Sequence, residues 1–376
     1  MVYKEFQDLQ LSALGFGGMR LPVVDGKDEA VNEAAAFELV NRAMEQGVNY
    51  YDTAWGYHGG NSELVLGRAL SSYPRDRFYL ADKFPGYDLS NMDKVEEIFN
   101  RQLEKCQVDF FDFYLFHNVC EMNIDAYLDP KYGIFDYLKK QKANGRIKHL
   151  GFSAHGNMDV LKRFLDAYGK EMEFCQIQLN YLDWTFQNAK AKAELLRSWN
   201  IPIWVMEPLR GGRLANLPDE YAARLAAVRP EETIPGWAFR FLQTVPGVTM
   251  VLSGMSNLEQ LESNLETFST DAPLSETEMT TLLTAASEML GRKTVPCTAC
   301  RYCVNYCPQA LDIPMLLGLY NEHSFTDGGF LAPMALSTLS KEKWPSACIA
   351  CRSCERVCPQ QIKISETLDA FARMLN

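Results

Sequence analysis

The residues best equipped for chemistry are eight cysteines near the C-terminus, arranged in two runs of identical spacing. Cys297, Cys300, Cys303 and Cys307 lead into Pro308, and Cys348, Cys351, Cys354 and Cys358 lead into Pro359. Gaps of two residues let three successive thiolates curl round one compact centre, while the longer gap and the proline turn the chain away from it. Tetrahedral zinc is the rival reading, but it needs only four ligands and has no use for a third cysteine at the same short spacing. The runs therefore point to two 4Fe-4S cubanes. In paired runs of this kind the fourth cysteine ligates the other cluster. One cluster is then expected on Cys297, Cys300, Cys303 and Cys358, and the other on Cys348, Cys351, Cys354 and Cys307.

A second constellation is spread wider: Asp52, Tyr57, Lys83 and His117, which position by position resemble the catalytic tetrad of the aldo-keto reductase superfamily. The resemblance implies carbonyl reduction, and these residue types suit it, because a proton donor must stand beside the hydride donor. A phenol with an ordinary pKa near ~10 has to be eased downward to serve at neutral pH, and a neighbouring ammonium does that. Lys83 would favour phenolate character in Tyr57, Asp52 would hold Lys83 charged and oriented, and His117 would place the carbonyl oxygen against Tyr57. Singly, each has a plainer reading: a loop tyrosine, a satisfied histidine, a solvated lysine, a loop cap.

What unites the four is where they fall among the elements that must position them. Short β-branched or aromatic runs at 14–16, 48–52, 78–83, 112–117, 149–152, 175–179, 203–206 and 249–252 alternate with stretches of helical period. Eight βα units in roughly 250 residues fit an α/β fold of the (β/α)8 TIM-barrel class better than an open doubly wound sheet. All four residues lie at the C-terminal ends of consecutive strands or in the loop just after, where barrel active sites are built. The glycines of 15–18 have no third glycine in register and no helix directly after them, so they read as close backbone packing and not as a dinucleotide fingerprint. Ahead of them, residues 3–6 and 9–12 are expected to form a hairpin closing the bottom of the barrel. A helix is expected over 275–290, and residues 291–296 form a boundary. Beyond it the chain repeats itself after 51 positions: Ile313 and Leu317 recur as Ile364 and Leu368, and the cysteines with them. The expected domains are thus a barrel with its trailing helix over 1–290 and a small, mainly helical di-cluster domain over 291–376.

These motifs resemble a known family. The segment Asp52-Thr53-Ala54 with Tyr57, the strand-end Lys83 and the strand-end His117 is similar to the catalytic tetrad of the aldo-keto reductase superfamily. The resemblance covers residues 1–290 and implies an NADP- or NAD-dependent oxidoreductase acting on a small carbonyl or alcohol. It implies cofactor contacts from Asp52, from Ser153 and Gln178 to the nicotinamide carboxamide, from Pro208, Leu209 and Gly211 in one loop, and from Gly254, Ser256, Gln260 and Asn264 in another. The chain departs from the family's pattern in places. Ala154 or His155 replaces the usual asparagine, Met206 stands where many relatives stack a tyrosine, and Gly254 and Gln260 occupy positions of frequent 2′-phosphate cations. Trp55, Tyr181 and Trp184 are candidates for the pocket wall or for the core. The cysteine half resembles the helical ferredoxin modules that carry electrons in multi-subunit oxidoreductases.

The totals bound these readings. A net charge of −11 disfavours nucleic acid and anionic membranes. No apolar run approaches the ~18 residues a membrane span needs, and a cytoplasmic setting is expected. Cys106, Cys120 and Cys175 read as small buried apolar side chains. Hydride transfer moves two electrons and a cubane accepts one, so an external one-electron carrier or flavoprotein is expected as partner. Two other roles compete: a nicotinamide-sensing electron-transfer subunit without reductase activity, and clusters that only staple a thin core.

Overall fold

The eight runs form eight parallel strands that close into a barrel. In the computed structural model, which describes residues 1–291, 294–297, 300–301, 303–326, 328–358 and 360–375, a hairpin of β1 (Tyr3–Phe6) and β2 (Leu9–Ser12) comes first. The barrel strands come next: β3 (Leu14–Gly17), β4 (Tyr50–Asp52), β5 (Tyr79–Phe84), β6 (Phe111–Val119), β7 (Ile147–Ala154), β8 (Cys175–Gln178), β9 (Ile203–Met206) and β10 (Val248–Ser253). They pair in chain order, and β10 returns to β3. Their near-continuous burial, seen in β6 as Phe111, Phe113, Tyr114, Leu115 and Phe116, is what strands covered on both faces require.

The hairpin plugs the N-terminal end of the barrel. Phe6 and Leu11 pack with Tyr50, Phe113, Phe174, Trp204 and Met250, and the Phe6 and Trp204 rings meet edge-on at 5.0 Å. Close packing also explains the early glycines: a Cβ on Gly15 would lie 2.6 Å from the Leu252 side chain, and one on Gly18 would lie 2.8 Å from the Asp52 carbonyl oxygen.

By packing, the chain divides into two compact units, Met1–Leu282 and Leu283–Asn376, the break falling inside the helix Glu276–Gly291. The second unit gathers the helices Ile313–Phe325, Leu331–Ser337 and Ile364–Met374 round a core of Leu316, Leu317, Leu336, Leu368 and Phe371. Its backbone repeats as its sequence does. The third cysteine of each run starts a 3-10 turn, Val304–Tyr306 or Glu355–Val357, and the pairs Arg301/Arg352 and Ala310/Gln361 all take positive φ. Among the described residues no helix is long and apolar enough to cross a membrane.

Candidate active site and cluster pockets

At the C-terminal ends of β4, β5 and β6 the four expected residues meet. Lys83 is buried, and its Nζ donates to Asp52 Oδ1 at 2.5 Å and to the Thr53 carbonyl at 2.7 Å, with the Tyr57 hydroxyl 3.5 Å away. The Tyr57 and His117 rings stand edge-on with centroids 6.0 Å apart. His117 is placed by an irregularity: the register of β6 against β7 shifts between Phe116 and Val119, and Asn118 adopts φ 57°. Such bulges bend a strand and redirect its side chains, and they collect beside active sites.

The electrostatics differ from expectation at one residue. Burial raises the Tyr57 pKa above the ordinary phenol value; Lys83 pulls it down and Asp52 pushes it up, so the net direction is upward. The ammonium expected to ease the phenol downward is present, but desolvation outweighs it. Burial alone would lower Lys83, yet Asp52 and Tyr57 together hold it above its usual range. His117 is pushed well below the ordinary imidazole value by burial, then by Lys83 and His155, so it stands neutral near pH 7.

Behind these groups lies a polar network that sequence reasoning missed. Gln176 of β8 donates to Asp52 Oδ2 at 2.8 Å. Gln102, on the helix Val95–Cys106, shares the two hydrogens of its amide nitrogen among Asp82 at 2.8 Å, Glu63 at 3.0 Å and the Lys83 carbonyl at 3.0 Å. It also accepts the Tyr114 hydroxyl at 2.5 Å. Lys105 pairs with Glu63 and caps the Trp55 ring at 4.8 Å, so Trp55 belongs to this shell. Tyr181 is core, and Trp184 packs edge-on to Phe241 at 5.5 Å. Tyr87, in the loop after β5, sits edge-on to His117 at 5.2 Å.

The residues expected at the nicotinamide are less open. Ser153 is fully buried and its Oγ accepts the Asn118 N–H at 2.7 Å, while Gln178 donates to Asp183 Oδ2 at 2.9 Å. Pro208, Leu209 and Gly211 share a tight turn after β9 in which Gly211 and Gly212 have φ 66° and 90°. Gly254, Ser256, Gln260 and Asn264 form one assembly after β10. Gln260 accepts the Ser256 N–H at 2.8 Å, and buried Asn264 donates to Ser253 Oγ at 3.0 Å. Arg20 lies between the two loops. A Cβ on Gly254 would meet its Cγ at 2.6 Å, and its Nη2 lies 4.0 Å from where a Gly211 Cβ would stand. With no ion pair among the described residues, this guanidinium fits the phosphates of a dinucleotide.

In the second unit the cysteines line two pockets in the exchanged sets. Cys307, Cys348, Cys351 and Cys354 line one with Leu311, Ile313 and Ile349; Cys297, Cys300, Cys303 and Cys358 line the other with Leu317, Ile362 and Ile364. The pockets are nearly equal, about 320 and 310 Å³. Four thiols on an apolar wall suit a cubane, whose irons need soft ligands and whose charge is tuned by burial. Burial pushes the Cys303 and Cys354 thiols up to about 11, so iron must displace their protons on binding.

Comparison with known proteins decides the family. Residues 13–286 match the model of the aldo/keto reductase family. The chain belongs to that family. Residues 296–364 match a 4Fe-4S dicluster domain, which implies two 4Fe-4S clusters. This aldo/keto reductase is 24% identical to an NADH-specific methylglyoxal reductase of Escherichia coli over 55% of the chain and 66% of that protein. It is 26% identical to an L-galactose dehydrogenase of Arabidopsis thaliana over 68% and 84%. Among solved structures, an aldo-keto reductase from Klebsiella pneumoniae in complex with NADPH shares the fold with a TM-score of 0.61 at 19% identity, covering 76% of this chain and 96% of that one. The protein is therefore an oxidoreductase of the aldo/keto reductase family carrying a dicluster iron–sulfur domain.

Proposed function

We propose that this aldo/keto reductase interconverts a small carbonyl compound and its alcohol, using NADP or NAD, with Tyr57 as the proton-transferring group. The observation that carries the reading is Lys83 Nζ, tied at once to Asp52 and the Thr53 carbonyl and 3.5 Å from the Tyr57 hydroxyl at the barrel mouth. When bound, the nicotinamide supplies or accepts the hydride. Tyr57 gives its proton to the carbonyl oxygen as negative charge develops there, and the Lys83 ammonium stabilises the phenolate left behind. Neutral His117 orients that oxygen by a hydrogen bond without adding charge. Asp52, itself fixed by Gln176, keeps Lys83 charged and aimed. Ser153, Gln178, Pro208, Leu209, Gly211, Gly254, Ser256, Gln260 and Asn264 hold the dinucleotide, and Arg20 adds the phosphate-directed charge that Gly254 and Gln260 lack. Small carbonyls as substrates agree with the relatives named for methylglyoxal and L-galactose.

The clusters exchange electrons with an external one-electron carrier or flavoprotein. Cys300 and Cys351 are exposed, so each cluster has a ligand at the surface of its unit. The buried thiols of Cys106, Cys120 and Cys175 suit a reducing cytoplasm.

The test is Tyr57→Phe, which keeps the ring and removes the acid. Carbonyl reduction should fall about 10²–10⁴-fold while NADPH or NADH still quenches tryptophan fluorescence with its wild-type dissociation constant. Undiminished turnover with a substrate the wild type reduces would assign the proton to another group.

A further inference from the structure

The loop after β5 brings a second phenol to the site. Tyr87 lies edge-on to His117 with centroids 5.2 Å apart and planes at 87°, so the imidazole meets two phenol rings, those of Tyr57 and Tyr87. Two glycines clear the space it needs. A Cβ on Gly56 would lie 2.4 Å from the Tyr87 hydroxyl, and a Cβ on Gly86 would lie 2.3 Å from the Tyr127 hydroxyl beneath the loop. Gly56 has φ −94°, open to any residue, so room for Tyr87 is what keeps a side chain out of that position. Tyr87 is half-buried, and among the described residues its hydroxyl has no hydrogen-bond partner while remaining reachable from outside. Burial, then Tyr57 and Glu63, push its pKa up to about 12, so it stays a neutral donor throughout the working range of pH.

We propose that Tyr87 is a substrate-positioning residue that makes the site prefer carbonyl compounds bearing oxygen on the adjacent carbon, α-hydroxy or α-oxo. This rests on the carbonyl-reductase reading. A carbonyl oxygen held between Tyr57 and His117 leaves the Tyr87 hydroxyl, which overlies the residue next to Tyr57, facing atoms one or two bonds from the carbonyl carbon. An oxygen there accepts the hydrogen bond. A methyl or methylene strips water from the phenol and leaves the donor unmatched, which costs more than the bond itself contributes.

The full-length protein is assayed with lactaldehyde and with 2-methylpropanal, which match in shape and differ by hydroxyl against methyl. The wild type should favour lactaldehyde in kcat/KM, and Tyr87→Phe should reduce that ratio about tenfold, chiefly through a higher KM for lactaldehyde. Gly56→Ala, which displaces the hydroxyl without removing it, should move the ratio the same way and serves if Tyr87→Phe folds poorly. A ratio in both variants equal to that of the wild type overturns the role of Tyr87 and leaves the reductase reading standing. Failure of the wild type to reduce either aldehyde, with NADPH bound, overturns both.

Discussion

Replacing Lys83 with methionine keeps the volume of the side chain and removes its charge, and the geometry fixes the consequence. Lys83 and Asp52 have 1% and 5% of their side chains exposed, and without the ammonium the Asp52 carboxylate keeps, among the described residues, only Gln176 at 2.8 Å. An uncompensated buried charge costs about 3–5 kcal/mol. The variant should therefore show a deficit of about 3–5 kcal/mol relative to wild type at pH 8. Urea unfolding monitored by the fluorescence of Trp204 and Trp237, both buried in the barrel unit, reads it directly. Asp52→Asn in the Lys83→Met background should recover at least ~1 kcal/mol at pH 8, since contacting charges couple by 0.5–3 kcal/mol. A deficit below about 1 kcal/mol, or no recovery in the double variant, would refute the claim that the two charges hold one another.

Anaerobically prepared protein should contain eight irons and eight acid-labile sulfides per chain, by iron and sulfide analysis; Cys307→Ala should damage the cluster on Cys348, Cys351 and Cys354, and selective loss of the other cluster would show that ligation is not exchanged. Because burial holds the Tyr57 phenol above its ordinary pKa, carbonyl reduction should show no alkaline loss from this acid below pH ~10; a limb centred near neutrality that Tyr57→Phe abolishes would mean that Lys83 dominates after all. NADPH or NADH added alone under argon should leave the visible absorbance of the clusters unbleached over many turnovers, and rapid bleaching in flavin-free protein would demand direct transfer from nicotinamide.

Much of this was legible because the signals are local. Strand runs such as 203–206 and 175–179 are bounded by turn residues and buried on both faces, and each strand of the barrel pairs with its neighbours in chain order, so the count of runs carries the topology. Lys83, Asp52 and His117 are strand-end residues, which a barrel brings together whatever the loops do. The exchanged cysteine sets follow from the spacing taken with the rule that in paired ferredoxin-type runs the fourth cysteine serves the other cluster, and each set lines one pocket. What stayed hidden depends on side chains reaching across the barrel. Gln176 and the expected Gln178 are two residues apart and share a face of β8, but the bond from Gln176 to Asp52 joins β8 to β4 across the barrel, and no single strand shows such a partner. Gln102 comes from a helix surface, Tyr87 from a loop whose course is set by Gly56 and Gly86, and Arg20 from the turn after β3; none lies in a motif. The balance at Tyr57 has the same root, since a sequence shows the ammonium, which does pull the phenol down, but not the burial that opposes it.

The pairing of these two units poses an electron-counting problem. One hydride carries two electrons, and two cubanes hold two between them, so the stoichiometry of the chain balances. The chemistry does not come with the count. A hydride moves as a pair to an electrophilic carbon, whereas a cubane takes a single electron through its thiolate shell, and splitting the pair needs a group stable with one electron, which is the role of a flavin. In the proposed reaction the barrel's groups, Tyr57, Lys83, His117 and Asp52, manage a proton and a developing negative charge, and none of them can carry an odd electron at ordinary potentials. Cys300 and Cys351, by contrast, are exposed on their unit, so in the proposed ligation each cluster has a ligand where a one-electron partner could approach. The arrangement is consistent with two half-reactions kept chemically separate on one chain and joined through a carrier that accepts electrons singly.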